Sequence, residues 1–125
     1  LLSKKTKNVI FVDCPTDNEL KWLYENAVLY AFPSLVEGFG LPPLEAMTLN
    51  LPVIASNNTA LPEILENAAE YFNPRDENEI FLAIKKVYED KNLQNKLITL
   101  GLKQIEKFSW NTMAKATKNI YESCD

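Results

Sequence analysis

The chain has 125 residues, of which 46% are apolar, and it carries a net charge of −4 at pH 7. This length and apolar content suffice for one globular domain with one hydrophobic core. The negative charge argues against a nucleic-acid-binding protein, because a phosphate backbone requires a basic surface. The sequence has no histidine, which removes the commonest general base and the commonest metal ligand.

Two further features of the composition bear on the cellular compartment. No apolar run approaches the ~18 residues that a membrane-spanning helix needs. Cys14 and Cys124 lie far apart and lack the spacing of a metal site. Free thiols of this kind favour a reducing cytoplasm.

The first part of the chain alternates predicted strands and helices. Continuous apolar runs predict buried strands at Val9–Val12, Val28–Phe32 and Val53–Ala55, and Tyr71-Phe72 is predicted as a fourth, very short strand. Predicted helices begin with the capping box Thr16–Glu19, at about Leu41 and at Leu61. This alternation indicates an α/β fold, a Rossmann-like parallel sheet with flanking helices.

From Asp76 onward the pattern predicts helices only. Asp76 caps the first helix, whose predicted inner face is Ile80, Ile84, Val87 and Tyr88. The apolar face of the second helix consists of Leu93, Leu97 and Leu100. Ser109 caps the third helix, which has Trp110, Met113, Ala114, Thr117 and Tyr121 on one face. No linker divides the chain, so residues 1–125 are predicted to form a single domain.

The segment Pro33–Leu49 is the most informative about function. Glu37 and Glu45 flank a Gly38-Phe39-Gly40 turn with seven residues between them, and a helix is predicted to begin at Leu41. A helix N-terminus binds phosphate through unpaired N–H groups and its partial positive charge. Carboxylates bind hydroxyl groups, so the pair of glutamates beside a phosphate site indicates a nucleotide sugar, which offers both groups.

Other polar residues are predicted to lie at the same edge of the sheet. Ligands of such sheets bind at the carboxyl ends of the strands. Asp13-Cys14, Ser34–Gly40 and Ser56–Asn58 each follow a predicted strand. We therefore expect these three segments to lie together.

Several motifs resemble the retaining glycosyltransferases of the GT-B architecture, the family called glycosyltransferase group 1. The resemblance covers residues 9 to about 122, and several separated motifs occur in the family's order. It rests on Phe32–Ser34, Glu37–Pro42, Leu44–Met47, Pro52–Ser56, Leu61–Ile64, Tyr71–Pro74 and Phe108–Trp110.

This resemblance implies a role for each residue of the glycine turn. Glu37 would be the catalytic residue at the transferred sugar, and Glu45 would bind the ribose hydroxyls. Gly38 and Gly40 would allow close approach and unusual dihedral angles. The N–H groups of Phe39, Gly40 and Leu41 would contact the sugar hydroxyls and the diphosphate, and Cys14 would lie by the base. The family's usual chemistry, retention through a front-face transition state, implies no cofactor and no metal.

The resemblance also implies what the whole enzyme does. The chain would be the second half of the C-terminal, donor-binding domain of a hexosyltransferase in polysaccharide or lipopolysaccharide biosynthesis. The acceptor, a glycan or glycolipid, would bind a missing N-terminal domain, and an upstream loop would supply an Arg and a Lys to the diphosphate. The fragment alone is therefore expected to be inactive. The full-length protein would be cytoplasmic, at the inner membrane face, with peripheral membrane contact only through the missing part.

The resembled sheet has the strand order 3-2-1-4-5-6, of which this chain would supply the last four strands. Two missing strands would separate Val9–Val12 from Val28–Phe32. Alone, the chain would either pair these two segments directly or leave apolar edges that favour self-association.

The sequence departs from the family pattern at three places and leaves alternatives open. Asp13-Cys14, Asn50 and Glu66 stand where the family commonly has glycine. The alternative functions are a non-catalytic module that binds a nucleotide sugar or packs against a partner, and another GT-B enzyme such as a nucleotide-sugar epimerase. Glu37 and Glu45 could also be surface carboxylates that stabilise a helix start.

Overall fold

A three-stranded parallel sheet lies at the centre of the computed structural model, which describes residues 8–123. The strands β1 (Tyr30–Phe32), β2 (Val53–Ser56) and β3 (Ala69–Phe72) are hydrogen-bonded in the order β1-β2-β3. Tyr30 pairs with Val53, which in turn pairs with Ala69. Every residue of β2 is buried, as expected for a central parallel strand covered on both faces. The predicted α/β class is confirmed.

Residues 8–123 contain six α-helices, and polar caps begin four of them. Thr16 and Glu19 form the predicted capping box, and the side chains of Asp76, Asp90 and Ser109 accept hydrogen bonds from N–H groups of the first turns that follow them. The helices are α1 (Asp17–Asn26), α2 (Leu41–Thr48), α3 (Leu61–Leu65), α4 (Glu77–Glu89), α5 (Lys91–Ile105) and α6 (Trp110–Glu122), and a 3-10 turn at Glu66–Ala68 follows α3.

Two clusters of buried side chains form the core. The larger includes Leu44 and Met47 of α2 and Leu61 and Leu65 of α3. The smaller joins Ile54 and Phe72 of the sheet to Ala83, Val87 and Leu97. A Cβ atom on Gly101 would lie 2.9 Å from Cγ of Met47. The missing side chain therefore allows α5 to pack closely against α2.

The predicted strand at Val9–Val12 is absent. No strand of residues 8–123 includes this segment, and its four side chains are between 51% and 88% exposed. An apolar run becomes a buried strand only when a neighbouring strand pairs with it and a helix covers it. The described part of the chain brings neither to Val9–Val12. Of the two expected outcomes, the structure therefore shows the exposed apolar segment and not direct pairing with β1.

The C-terminal helices differ in burial from the sequence prediction. The inner face of α4 consists of Ile80, Ala83 and Val87, whereas Ile84 and Tyr88 are 38% and 62% exposed. No residue of α6 is buried, and Trp110 is 73% exposed. The sequence pattern of α6 thus gives an apolar face that the described residues do not cover.

Three residues noted as replacing glycine adopt the backbone that glycine favours. Cys14, Asn50 and Glu66 have φ values of 46°, 59° and 47°. Asparagine tolerates this region, but it is unfavourable for most other side chains. Glycine would therefore fit the backbone at all three positions.

Candidate donor-binding site

The segment Pro33–Gly40, here called the glycine loop, joins the end of β1 to the start of α2. Gly40 is the N-cap of α2 and has φ 97° and ψ 48°. A Cβ atom on Gly40 would lie 2.7 Å from Cδ2 of the buried Leu61. Both the backbone conformation and the space therefore require glycine at position 40.

The side chain of Glu37 folds back onto this loop. Its Oε1 accepts hydrogen bonds from the N–H groups of Gly38, at 3.0 Å, and Phe39, at 3.3 Å. Two consecutive amides thus converge on one anionic oxygen. Among the hydrogen bonds of residues 8–123, none uses the N–H groups of Gly40 or Leu41. Gly40 is a buried residue, whereas Leu41 is exposed.

Gly38 differs from Gly40 in its surroundings. It does not adopt a positive φ, and a Cβ atom there would meet no heavy atom within 4 Å. The prediction of unusual dihedral angles is therefore correct for Gly40 and wrong for Gly38. The open space beside Gly38 is compatible with close approach by a ligand.

Glu45 lies one turn into α2, on its exposed surface. Within the described part of the chain its carboxylate forms no ion pair and accepts no hydrogen bond. It lies near Tyr24 and Tyr30, whose rings pack edge to face at 5.3 Å. Burial raises the pKa of the Tyr30 hydroxyl, and the charges of Tyr24 and Glu45 act in the same direction. Glu45 is therefore accessible, but no contact joins it to Glu37.

The remaining predicted site residues, Phe39, Leu41 and Cys14, are all exposed. Phe39 is 39% exposed and its ring packs edge to face on that of Phe108 at 5.5 Å, and Leu41 is 47% exposed. Cys14 is exposed, and its Sγ donates to Oδ1 of Asp13 at 3.5 Å. Between residues 8 and 123 no hydrogen bond joins Cys14 to the glycine loop and no strand precedes it, so its place beside the base stays a prediction.

The segment after β2 holds the glycine loop through polar contacts. Oγ of Ser56 donates to the carbonyl of Phe32 at 3.3 Å, and Nδ2 of Asn58 donates to the carbonyl of Leu35 at 2.8 Å. The N–H of Glu37 donates to Oγ1 of Thr59 at 3.2 Å. The predicted meeting of the 34–40 and 56–58 segments is confirmed.

Sequence reasoning missed Thr59, and it assigned no role to Asn58. The available signal was four successive polar residues, Ser56–Thr59, directly after a buried strand.

A cleft of about 500 Å³ lies beside the glycine loop, between Phe39, Leu41, Leu44 and the start of α6. Its lining is almost entirely apolar, and its one charged residue is Lys107. Nζ of Lys107 lies 2.8 Å from Oε1 and from Oε2 of Glu66, and these hydrogen bonds lower the pKa of the Glu66 carboxyl. The cleft is therefore suited to apolar packing and not to a diphosphate.

Residues 8–123 contain no group of three or more Cys, Asp or Glu residues that could hold a metal ion. None of the helices in this range is long and apolar enough to cross a membrane.

Comparison with solved structures defines the class of the fold. The chain superposes on the sucrose-phosphate synthase from Thermosynechococcus elongatus with a TM-score of 0.73 and 28% identity, covering 82% of this chain and 27% of that one. The parallel sheet with flanking helices is thus that of a GT-B glycosyltransferase. The family model described as "Glycosyl transferases group 1" matches residues 3–104. The chain therefore belongs to the group 1 glycosyltransferase family, which confirms the predicted resemblance.

Curated relatives agree with this assignment. The serotype-specific mannosyltransferase WbdA of Escherichia coli is 42% identical over 106 residues, which cover 85% of this chain and 13% of the relative. The O-antigen chain mannosyltransferase B of Escherichia coli is 38% identical over 106 residues, which cover 85% and 28% of the two chains. The chain thus spans less than a third of the length of either relative.

Proposed function

We propose that this chain is a donor-binding part of a retaining glycosyltransferase that uses a nucleotide diphosphate sugar. The observation that carries the proposal is the convergence of the Gly38 and Phe39 N–H groups on one carboxylate oxygen of Glu37. The glycine loop thus already binds an anionic oxygen through backbone amides. The next two N–H groups, of Gly40 and Leu41, lie at the N-terminus of α2, where the helix dipole favours a phosphate.

The proposed chemistry assigns these groups to the leaving diphosphate and the sugar. Cleavage of the glycosidic bond leaves negative charge on the nucleoside diphosphate, and fixed N–H groups stabilise that charge without reorganising. Gly40 and Leu41 would supply them. Glu37, held by two amides, would place its carboxylate near the sugar ring, where positive charge develops. The N–H group of Phe39 would either keep its hydrogen bond to the Glu37 carboxylate or donate to a sugar hydroxyl instead.

Glu45 is proposed to bind the ribose hydroxyls. An exposed carboxylate without a protein partner offers acceptor oxygens to a diol at no cost in broken contacts. No cofactor or metal enters the proposed reaction. Cys14, which is exposed, is proposed to lie by the base, as the family resemblance implies.

We propose mannose as the transferred sugar, since the relatives WbdA and mannosyltransferase B are named mannosyltransferases. The O-antigen in the name of the second supports a role in lipopolysaccharide biosynthesis, with a glycan or glycolipid acceptor. An acceptor domain and the Arg and Lys for the diphosphate would come from other parts of the protein. The active protein would then work on the cytoplasmic face of the membrane.

Calorimetric titration tests donor binding. GDP-mannose, UDP-glucose and ADP-glucose are the probes, and GDP-mannose is expected to bind. Glu45→Gln should weaken that binding about tenfold, the effect of losing hydrogen bonds to a charged acceptor. Glu63→Gln is the matched control, because Glu63, like Glu45, is an exposed carboxylate on a helix, and it should bind within about twofold of the wild type. The absence of binding by all three probes, or equal loss in both variants, would favour the partner-packing alternative.

A further inference from the structure

The segment Asn57–Ala60, here called the bracing loop, contacts the glycine loop at two points that the proposed function does not use. Nδ2 of Asn58 donates to the carbonyl of Leu35 at 2.8 Å. Oγ1 of Thr59 accepts from the N–H of Glu37 at 3.2 Å. The two bonds hold the backbone on either side of Val36, directly before the amides that bind the Glu37 carboxylate.

The backbone of Thr59 is unfavourable for its side chain. Its φ is 52°, and a β-branched residue in this region is a clear outlier. Thr59 is exposed, so burial of its methyl group does not account for threonine at this position. Its hydrogen bond with Glu37 is the contact that distinguishes threonine from the glycine that this backbone favours.

Asn58 is also held at a cost. Its Oδ1 is buried and has no hydrogen-bond partner among residues 8–123, which is unfavourable for a polar atom. Turning the amide over would place Oδ1 against the carbonyl of Leu35 and lose the 2.8 Å bond. The bond to the glycine loop therefore fixes the orientation of this side chain.

We propose that Asn58 and Thr59 are positioning residues, which act on the nucleotide sugar through the glycine loop without touching it. They fix the backbone of Leu35–Glu37, so that the Glu37 carboxylate reaches the amides of Gly38 and Phe39. The N–H groups of Gly40 and Leu41 then stay free for the diphosphate. This inference rests on the proposed donor-binding function of the glycine loop.

Substitutions at Thr59 separate positioning from a structural role. Thr59→Gly suits the positive φ and removes the hydroxyl, so we expect an unchanged or higher melting temperature together with about tenfold weaker binding of GDP-mannose. Thr59→Ser keeps the hydroxyl and should restore binding to within about twofold of the wild type. A merely structural Thr59 would give the opposite pattern, with a lower melting temperature and an unchanged affinity for GDP-mannose in Thr59→Gly.

Amide hydrogen exchange in the ligand-free protein tests the same inference without the donor. The Glu37 amide should exchange about tenfold faster in Thr59→Gly than in the wild type, and at close to the wild-type rate in Thr59→Ser. Equal exchange rates in the wild type and Thr59→Gly would overturn the inference, whether or not a probe binds. If GDP-mannose, UDP-glucose and ADP-glucose all fail to bind the wild type, the proposed function fails, and the exchange rates alone decide the role of Thr59.

Discussion

Gly40 and Leu61 are in contact at the point where α2 and α3 begin. The Leu61 side chain is fully buried and fills the space that a side chain at position 40 would need, with 2.7 Å between its Cδ2 and an added Cβ atom. The start of the proposed phosphate-binding helix is thus fixed by core packing as well as by its own backbone.

Gly40→Ala should therefore destabilise the protein by about 2 to 4 kcal/mol, the sum of left-handed strain and a forced shift of Leu61. Gly38→Ala is the matched control in the same loop. It meets open space and should change the free energy of unfolding by less than about 0.5 kcal/mol. Urea denaturation followed by circular dichroism measures both values. Similar losses in the two variants would mean that Leu61 does not limit position 40.

Glu66→Gly should stabilise the protein. Glu66 has φ 47° and ψ −122° at the end of α3, a region that favours glycine, and relief of this strain should raise the melting temperature by about 3 to 6 °C. Glu66→Ala removes the same exposed ion pair with Lys107 without relieving the strain, so it should not raise the melting temperature. Asn50→Gly should shift it by no more than about 1 °C, because asparagine tolerates positive φ. A Glu66→Gly protein that melts below the wild type would contradict the prediction.

Ionisation of the Tyr71 hydroxyl should lower the free energy of unfolding at alkaline pH. Burial raises the pKa of its hydroxyl to about 12, and the charge of Glu66 adds to the effect. The neutral hydroxyl donates to the carbonyl of Glu66 at 2.7 Å. Because the folded pKa lies above the unfolded value of about 10, the contribution is complete below pH 10 and is lost as the pH rises toward 12.

Tyr71→Phe tests this pH dependence. At pH 7 the variant should be about 1 kcal/mol less stable, the net value of one hydrogen bond. Between about pH 10 and pH 12 the wild type should lose this advantage in free energy of unfolding and then become less stable than Tyr71→Phe. A difference that stays constant over this range in chemical denaturation would show that Tyr71 does not titrate differently on folding.

The exposed segment Val9–Val12 should promote self-association. Ile10 and Phe11 are 88% and 65% exposed, and β1 lies at an edge of the sheet. Exposed apolar runs and open strand edges both favour contact between chains. Sedimentation velocity over a range of concentrations should show association that weakens by about tenfold in Ile10→Lys. Phe81→Ser, which removes an exposed aromatic ring from α4, is the control and should associate like the wild type. A wild type that stays monomeric throughout would refute this prediction.

Local signals in the sequence predicted most of the described elements correctly. Thr16 with Glu19, Asp76 and Ser109 each mark a helix start, because a cap depends on residues within one turn. The prediction for Val9–Val12 was wrong because burial of a strand depends on other parts of a fold. The inner face of α4 was misplaced for a related reason: only the contact with the sheet decides whether Ala83 or Ile84 faces inward.

The candidate site was predictable in outline and not in detail. The two-glutamate pattern located the glycine loop and the start of α2. It did not predict that the Glu37 carboxylate would accept from its own loop, because this depends on side-chain torsion angles. Nor did it predict the hydrogen bond of Thr59 with Glu37, which is 22 residues away in the chain, or that of Asn58 with Leu35, which is 23 residues away. Contacts between segments so far apart depend on the fold and not on a local pattern.

The exposure of both indole rings decides how this protein is best observed. Trp22 and Trp110 are 61% and 73% exposed in the native state, so their emission is already that of solvent-exposed indole before denaturation. Intrinsic emission will therefore follow unfolding of the core poorly. Trp110 nevertheless borders the cleft beside Phe39, which makes its quenching a local optical reporter of any molecule that settles there.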